Sequence, residues 1–365
     1  MKKCLQFLMI LFFSCTQVVC HNYLQQTRSP PPKKKLIKIL AIDGGGIRGI
    51  IPALILKALE SKLKKKRHLA ECFDIMSGTS TGGIIVLLLN TPGANKEPKF
   101  RADDIVGFYQ SFGPKVFYQS FWRRIITFNG WFGEKYSTKN LEESLLEYFG
   151  DTRLRHSISS LIIPAYDISQ DDIIFFKTEK AQLDLARDFY FKDIARATSA
   201  APTYFYPAKI KDIIQQKSYD LVDGGVALNN PTLSASVHAI KLFGKDNDFL
   251  VVSLGTGTNY GAPQGKLSYG GKKVIKSGGK ADWAESIVPV MMYAANDAVD
   301  YQMNELFAND DGIKKYFRFQ PILSSEHVEM DDTNPDNIKA LILYAEDIIK
   351  TNDKELTYIA SVLDN

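Results

Sequence analysis

Apolar runs that break off at glycines alternate along this chain with stretches of helical spacing. Leu36-Ile37-Lys38-Ile39-Leu40-Ala41-Ile42 is nearly continuous in apolar residues, the pattern of a strand buried on both faces. From Ile50 to Lys66 the residues Leu54, Ile55, Ala58, Leu59 and Leu63 recur at helical intervals, which predicts a helix. Lys64-Lys65-Lys66-Arg67 then falls at the end of that helix, where positive charge suits the macrodipole. A second strand is expected over Phe73–Ser77, followed by an apolar helix over Ile84–Leu89. Amphipathic helices are expected near Asp103–Phe112 and Thr138–Phe149, and strands over Leu161–Ala165 and Ile173–Lys177. A helix over Asp193–Ala200 and strands over Tyr219–Val222 and Phe249–Leu254 follow. The remainder reads as helical, with Asn334-Pro335 as a start signal ahead of the stripe Ile338, Leu341, Ile342, Ala345, Ile348 and Ile349. Strands alternating with helices predict an α/β fold with a mostly parallel sheet and helices on both faces. Functional sites in such folds lie at the carboxyl ends of strands.

Composition narrows the class. The 365 residues are 45% hydrophobic and 24% charged, a globular balance. A net charge of +4 is too small to imply nucleic-acid binding. Three of the four cysteines, Cys4, Cys15 and Cys20, lie in the first twenty residues and leave Cys72 alone in the body. That excludes a disulfide framework and a CxxC-type zinc site there. Lys2 and Lys3, the apolar run Leu5–Phe13 and a polar stretch from His21 read as a bacterial-type export signal over residues 1–20. Secreted or periplasmic location follows, or lipid anchoring through Cys15 or Cys20. Residues 21–35, with three prolines before Lys33-Lys34-Lys35, read as an extended linker. The glycine- and lysine-rich Gly261–Lys280 reads as a mobile loop.

Three glycine turns follow the expected strands. Gly78-Thr79-Ser80-Thr81-Gly82 has the form of a nucleophile elbow, a sharp strand-to-helix turn that lifts a serine above the sheet. Asp43-Gly44-Gly45-Gly46-Ile47-Arg48-Gly49 contains GxGxxG. A dinucleotide site would need an acid at the end of the next strand; Glu60 falls inside the helix and the next strand ends in Gly78-Thr79-Ser80. The alternative is an oxyanion hole of glycine N–H groups, with Arg48 fixing the loop or binding a phosphate. Asp223-Gly224-Gly225 ends another strand. Asp223 could take the serine proton directly if burial raises its pKa. Ser80, Asp223 and His238 could instead form a triad, although His238 lies within a helical stretch.

These three turns, together with Ala197-Thr198-Ser199-Ala200-Ala201-Pro202-Thr203-Tyr204-Phe205 and Asn229-Asn230-Pro231, resemble the patatin-like phospholipases in sequence, order and spacing. The resemblance covers residues 36–260 as a catalytic domain, with 261–365 as a mostly helical part of the same domain. It implies a three-layer αβα fold and a Ser–Asp dyad, with Ser80 as nucleophile and Asp223 as base. It implies an oxyanion hole from Gly44, Gly45 and Gly46, with Asp43, Arg48, Gly49, Gly78, Gly82, Gly224 and Gly225 shaping the turns. The implied activity is phospholipase A or lysophospholipase type, on a phospholipid or lysophospholipid, without metal or cofactor. A non-lipid esterase with the His238 triad and a storage protein with vestigial activity are the rival readings. An aromatic-rich stretch, including Phe108, Phe112, Phe117, Phe121, Trp122 and Tyr136 with Arg123 and Arg124, suggests a flap in peripheral contact with a membrane surface.

Overall fold

In the computed structural model the described residues are 34–118, 134–259, 268–269, 272–273, 287–308 and 313–365. The expected export signal and most of the linker lie outside them, as does nearly all of the expected loop at 261–280. Residues 37–245 and 249–365 make one compact unit; residues up to Leu36, with Asp246–Asp248, belong to another. In that small unit Asp248 donates its N–H to Lys35 O at 3.0 Å.

The strands are β1 (Leu36–Ile42), β2 (Ile75–Gly78), β3 (Ser160–Asp167), β4 (Asp172–Lys177), β5 (Ala208–Lys211), β6 (Ser218–Asp223), β7 (Asp248–Leu254), the short β8 (Ser268–Tyr269) and β9 (Lys272–Lys273), and β10 (Tyr316–Phe319). Eight of them form one sheet in the order β10-β7-β1-β2-β3-β6-β5, with β4 also paired to β3. The pairs β1–β2, β2–β3 and β7–β10 are parallel. The pairs β3–β4, β3–β6 and β5–β6 are antiparallel. Parallel centre and antiparallel margin together make the expected α/β fold. The expected strands are present; β5 was not anticipated, and β10, with Tyr316, Phe317 and Phe319 buried, is a strand within the remainder expected to be helical.

The helices used below are α1 (Ile50–Ser61), α2 (Thr81–Leu89), α3 (Ala102–Val116), α4 (Thr138–Phe149), α5 (Thr178–Leu183), α6 (Phe191–Thr198), α7 (Gly225–Leu228), α8 (Thr232–Phe243), α9 (Ile287–Leu306), α10 (Pro335–Thr351) and α11 (Asp353–Leu363). Side chains of a strand alternate between faces, and here they feed two separate cores. Ile37, Ile39, Ile75, Ile162 and Val251 pack with Ala235 and Ala239 of α8 and Met303 of α9. Leu40, Ile42, Met76, Ile163 and Val252 pack with the larger helical layer that includes α1, α2 and α10. The near-continuous apolar strands are thus explained by helices on both sides. Helix α2 is buried along its whole length.

The basic run behaves otherwise than its position suggests. Helix α1 ends at Ser61, short of Lys64. Lys64 donates its backbone N–H to Asp364 Oδ2 (2.9 Å), Lys65 Nζ donates to Asp364 O (2.6 Å), and Arg67 Nη1 donates to Leu363 O (3.3 Å). The cations therefore close the C-terminal end of α11, whose last carbonyls lack helical partners. Helix α11 is anchored by Leu356, Ile359 and Leu363, all fully buried. Leu356→Ala should destabilise the fold by about 2–5 kcal/mol. Urea unfolding should show a lower midpoint with an unchanged slope.

Candidate active site

Ser80 links β2 to α2 with φ 54° and ψ −122°, a conformation that costs a non-glycine residue about 1–3 kcal/mol. The surroundings hold it there. Ser80 donates its N–H to Thr198 Oγ1 (3.0 Å), and Thr198 Oγ1 donates to Pro164 O (2.7 Å). Thr79 donates N–H to Ile42 O (3.1 Å) and its hydroxyl to Leu228 O (2.7 Å). Helix α2 passes so close to β1 that a side chain at Gly82 would strike the carbonyls of Ile42 and Asp43. The elbow read from the sequence is present, strained and pinned.

Strand β2 pairs with residues 160–162 of β3, while β6 pairs with residues 165–167. The opposite edge of β3 carries β4 through residues 162–167. Hence β2 and β6 share one edge of β3 and run toward each other, and their carboxyl ends meet across Ile163 and Pro164. That meeting places Asp223 at Ser80. The Ser80 side chain stands against the Asp223 carboxylate and favours its charged form, and Asp223 Oδ1 accepts the Gly225 N–H at 2.7 Å. The carboxyl is 3% exposed. Burial pushes its pKa up to about 7, against the opposing pull of Ser80 and the Gly225 N–H.

The glycine loop departs from the expectation at one residue. Gly44 donates its N–H to Asn229 O at 3.1 Å, so that amide is already used. Gly45 and Gly46 have no N–H partner among the described residues, and both line the cleft that holds Ser80 and Asp223. The first amide of α2, at Thr81, is likewise without a helical partner. Gly46 sits at φ 58°, and a side chain on it would meet Met330 O. The loop is braced from the C-terminal region. Ile47 donates N–H to Met330 O (2.8 Å), and Arg48 Nη1 donates to Val328 O (3.1 Å) and Tyr293 Oη (3.2 Å). Arg48 Nε also reaches Gly45 O at 3.4 Å. Arg48 is 3% exposed, so it fixes the loop and does not face a substrate phosphate.

Asp43 is fully buried and takes both prongs of Arg318, at 3.0 Å and 2.5 Å. Burial drives the Asp43 carboxyl upward, and the Arg318 guanidinium opposes this. Arg318 Nη1 also donates to Ser253 Oγ at 2.9 Å. Sequence reasoning missed Arg318, which stands 275 residues from Asp43 in a short aromatic strand within a stretch expected to be helical. Thr198 and Asn229 lay inside recognised stretches, but their bonds to the elbow and the loop had no local signal.

His238 is 6% exposed, and its Nε2 lies 3.0 Å from Glu179 Oε1. Although burial would raise Glu179, the neighbouring His238 and Lys177 hold its pKa below the ordinary value. Neither Ser80 nor Asp223 is a partner of His238, so the structure does not assemble the triad. The cleft has an empty volume of about 900 Å³, counted to its open mouth. Its walls are mainly apolar, with Tyr109 and Phe112 along α3, Phe117 just past its end, Leu141, Tyr204 and Phe205. Phe108, Phe112 and Tyr136 are therefore core or cleft wall, contrary to their place in an expected surface flap. Phe121, Trp122, Arg123 and Arg124 lie outside the described residues. Among the described residues no group of three His, Cys, Asp or Glu side chains could hold a metal ion.

Two outcomes follow from these buried charges. Asp43→Asn removes the bidentate carboxylate from the buried Arg318 guanidinium, which should cost about 3–5 kcal/mol. Adding Arg318→Met should recover most of that loss in a double-mutant cycle of chemical denaturation. Asp223 acts in the opposite sense. Its folded pKa is about 7 and its ordinary value 3.8, so stability falls as pH rises between those values and is level above about 7. Asp223→Asn should therefore be more stable than the wild type by up to roughly 4 kcal/mol at pH 8, with the advantage gone by pH 4. Thermal melts across pH check the sign.

Comparison with known proteins places this geometry. The family model described as patatin-like phospholipase matches residues 40–236, a span that contains the glycine loop, the elbow and Asp223. Patatin-like protein 2 of Oryza sativa subsp. indica is 34% identical over 355 residues, covering 89% of this chain and 86% of that protein. Patatin-like protein 2 of Arabidopsis thaliana is 33% identical, covering 88% and 84%. Patatin-T5 of Solanum tuberosum is 32% identical, covering 89% and 87%. The similarity runs through nearly the full length of chains that carry the same name, and on that ground this chain belongs to the patatin-like phospholipase family of lipid acyl hydrolases.

Proposed function

We propose that the chain is a phospholipase A or lysophospholipase that cleaves carboxylic esters with Ser80 and Asp223 alone. The observation that supports this reading best is a buried carboxylate with a pKa near 7 that the Ser80 side chain acts on directly, both lining one cleft. Such a group is ionised often enough at neutral pH to accept a proton, yet basic enough to draw one from an attacking hydroxyl. Ser80 Oγ attacks the ester carbonyl, and its proton passes to Asp223. The carbonyl oxygen becomes negative and is met by the Gly45 and Gly46 amides, helped by the Thr81 amide. Each well-placed donor contributes about 3–4 kcal/mol. Collapse of the tetrahedral species expels the lysolipid alkoxide, which takes the proton from Asp223. Water, activated by the same carboxylate, then releases the fatty acid from the acyl-enzyme. The aromatic and aliphatic walls of the cleft give an acyl chain an apolar bed.

Ser80→Ala and Asp223→Asn should both abolish fatty-acid release from phospholipid and lysophospholipid, while His238→Ala stays within a few-fold of wild type. In wild type, kcat/KM should rise about tenfold per pH unit below pH 7 and level off above it. A normally folded but inactive His238→Ala variant, or a profile flat through pH 7, would sink the two-residue reading.

A further inference from the structure

Asn229 brings to the Ser80 cleft a hydrogen-bonding atom that the proposed mechanism does not use. Its backbone carbonyl holds the Gly44 amide, and the residue lines the cleft with Ser80 and Asp223. Asn229 is 3% exposed, and its Oδ1 is buried without a hydrogen-bond partner among the described residues. The amide nitrogen is engaged elsewhere, where Nδ2 donates to Asn296 Oδ1 at 3.3 Å. Asn229 also borders a small hollow that it shares with Arg48, Thr256, Tyr293 and Asn296. A buried amide oxygen without a donor forfeits the free energy of a hydrogen bond, so its position calls for a reason.

Two glycines show what that oxygen faces. A Cβ built on Gly44 would strike Asn229 Oδ1 and stand 3.2 Å from Ser80 Cβ. A Cβ built on Gly225 would stand 3.1 Å from Asp223 Oδ1 and 3.2 Å from Asn229 Oδ1. The amide oxygen therefore lies across one small gap from the nucleophile and across another from the base. Both gaps exist because residues 44 and 225 carry no side chain. An amide oxygen only accepts hydrogen bonds, so it cannot add to the oxyanion hole. The ester at the reacting centre offers only acceptors as well. The reactant that brings hydrogens to this place is water, with two O–H bonds.

We propose that Asn229 is a positioning residue for the hydrolytic water, accepting one O–H at Oδ1 while the Asp223 carboxylate takes the other. This role rests on the proposed hydrolysis by Ser80 and Asp223. Once Ser80 is acylated it has no proton to offer Asp223, and water takes its place beside the carboxylate. The water oxygen attacks the acyl carbon as one of its protons passes to Asp223. The bond from the acyl carbon to Ser80 Oγ then breaks, and the proton on Asp223 moves to Ser80 Oγ. The second water proton leaves on the fatty acid. With both O–H bonds held, the lone pairs of the water are the part left to meet the acyl carbon.

An alcohol has a single O–H and needs Asp223 alone. Turnover of p-nitrophenyl butyrate by the full chain in buffer containing methanol separates the two cases, because water and methanol compete for one butyryl-enzyme. The ratio of methyl butyrate to butyrate, read by gas chromatography, should rise about tenfold in Asn229→Leu and in Asn229→Ala, the effect of one lost hydrogen bond on water alone. That ratio does not depend on how much of a variant folds. Intact-mass spectrometry should show the butyryl group accumulating on Ser80 in both variants. An unchanged ratio, with hydrolysis and methanolysis falling together, overturns the proposal and leaves the Ser80–Asp223 reading standing, since Asn229 would then act only through its brace on Gly44. A wild type with no turnover, or with turnover that survives Ser80→Ala, overturns both.

Discussion

The carboxyl of Asp223 is removed from water by the same contact that brings it to Ser80. Strands β2 and β6 meet end to end along β3, and the meeting point is covered by α2, by α7 and by the turn after α6. Desolvation there raises the pKa toward neutrality, and the serine hydroxyl is the polar group offered in compensation. Under the proposed mechanism a histidine has no task left, since a carboxylate tuned by burial already has the basicity that an imidazole would bring. The energetic consequence is an enzyme less stable at high pH than it would be without that acid.

Much of the remaining architecture holds this junction still. The elbow is strained, and Thr198 ties it to Pro164 O on β3. The glycine loop is held from three directions. Asn229 takes the Gly44 amide, Met330 takes the Ile47 amide, and Arg48 spans from Gly45 to Val328 and Tyr293. At the foot of the loop Asp43 is locked to Arg318 on β10. Residues beyond 290 thus shape a loop that lies before residue 50. A family match confined to residues 40–236 contains the reacting groups but not Arg318, Tyr293 or Met330.

Those braces also leave two loop amides unpartnered among the described residues. With Gly44 committed to Asn229 and the Ile47 amide committed to Met330, Gly45 and Gly46 are the loop residues on the cleft whose N–H groups have no partner among the described residues. Under the proposed mechanism, a carbonyl oxygen entering beside Ser80 meets N–H groups held by these braces, the condition under which such donors contribute most.

The sequence by itself determined the fold class and the identity of the candidate residues. Continuous apolar strands demand two helical faces, so Leu36–Ile42 already implied a sheet buried on both sides. A serine flanked by glycines between a strand and an apolar helix already implied an elbow, because only small neighbours permit that turn. These are local patterns, and the physics that produces them acts over a few residues. The tertiary structure decided what those residues do to one another. Whether Asp223 or His238 lies beside Ser80 depends on β6 running antiparallel and stopping against β2, a matter of sheet register across more than a hundred residues. That Gly44 is a brace while Gly45 and Gly46 are open depends on an acceptor at Asn229. That Lys64–Arg67 closes α11 and not α1 depends on where the last helix packs. In each case the deciding partner is distant in sequence, and its contact is set by burial of the whole core.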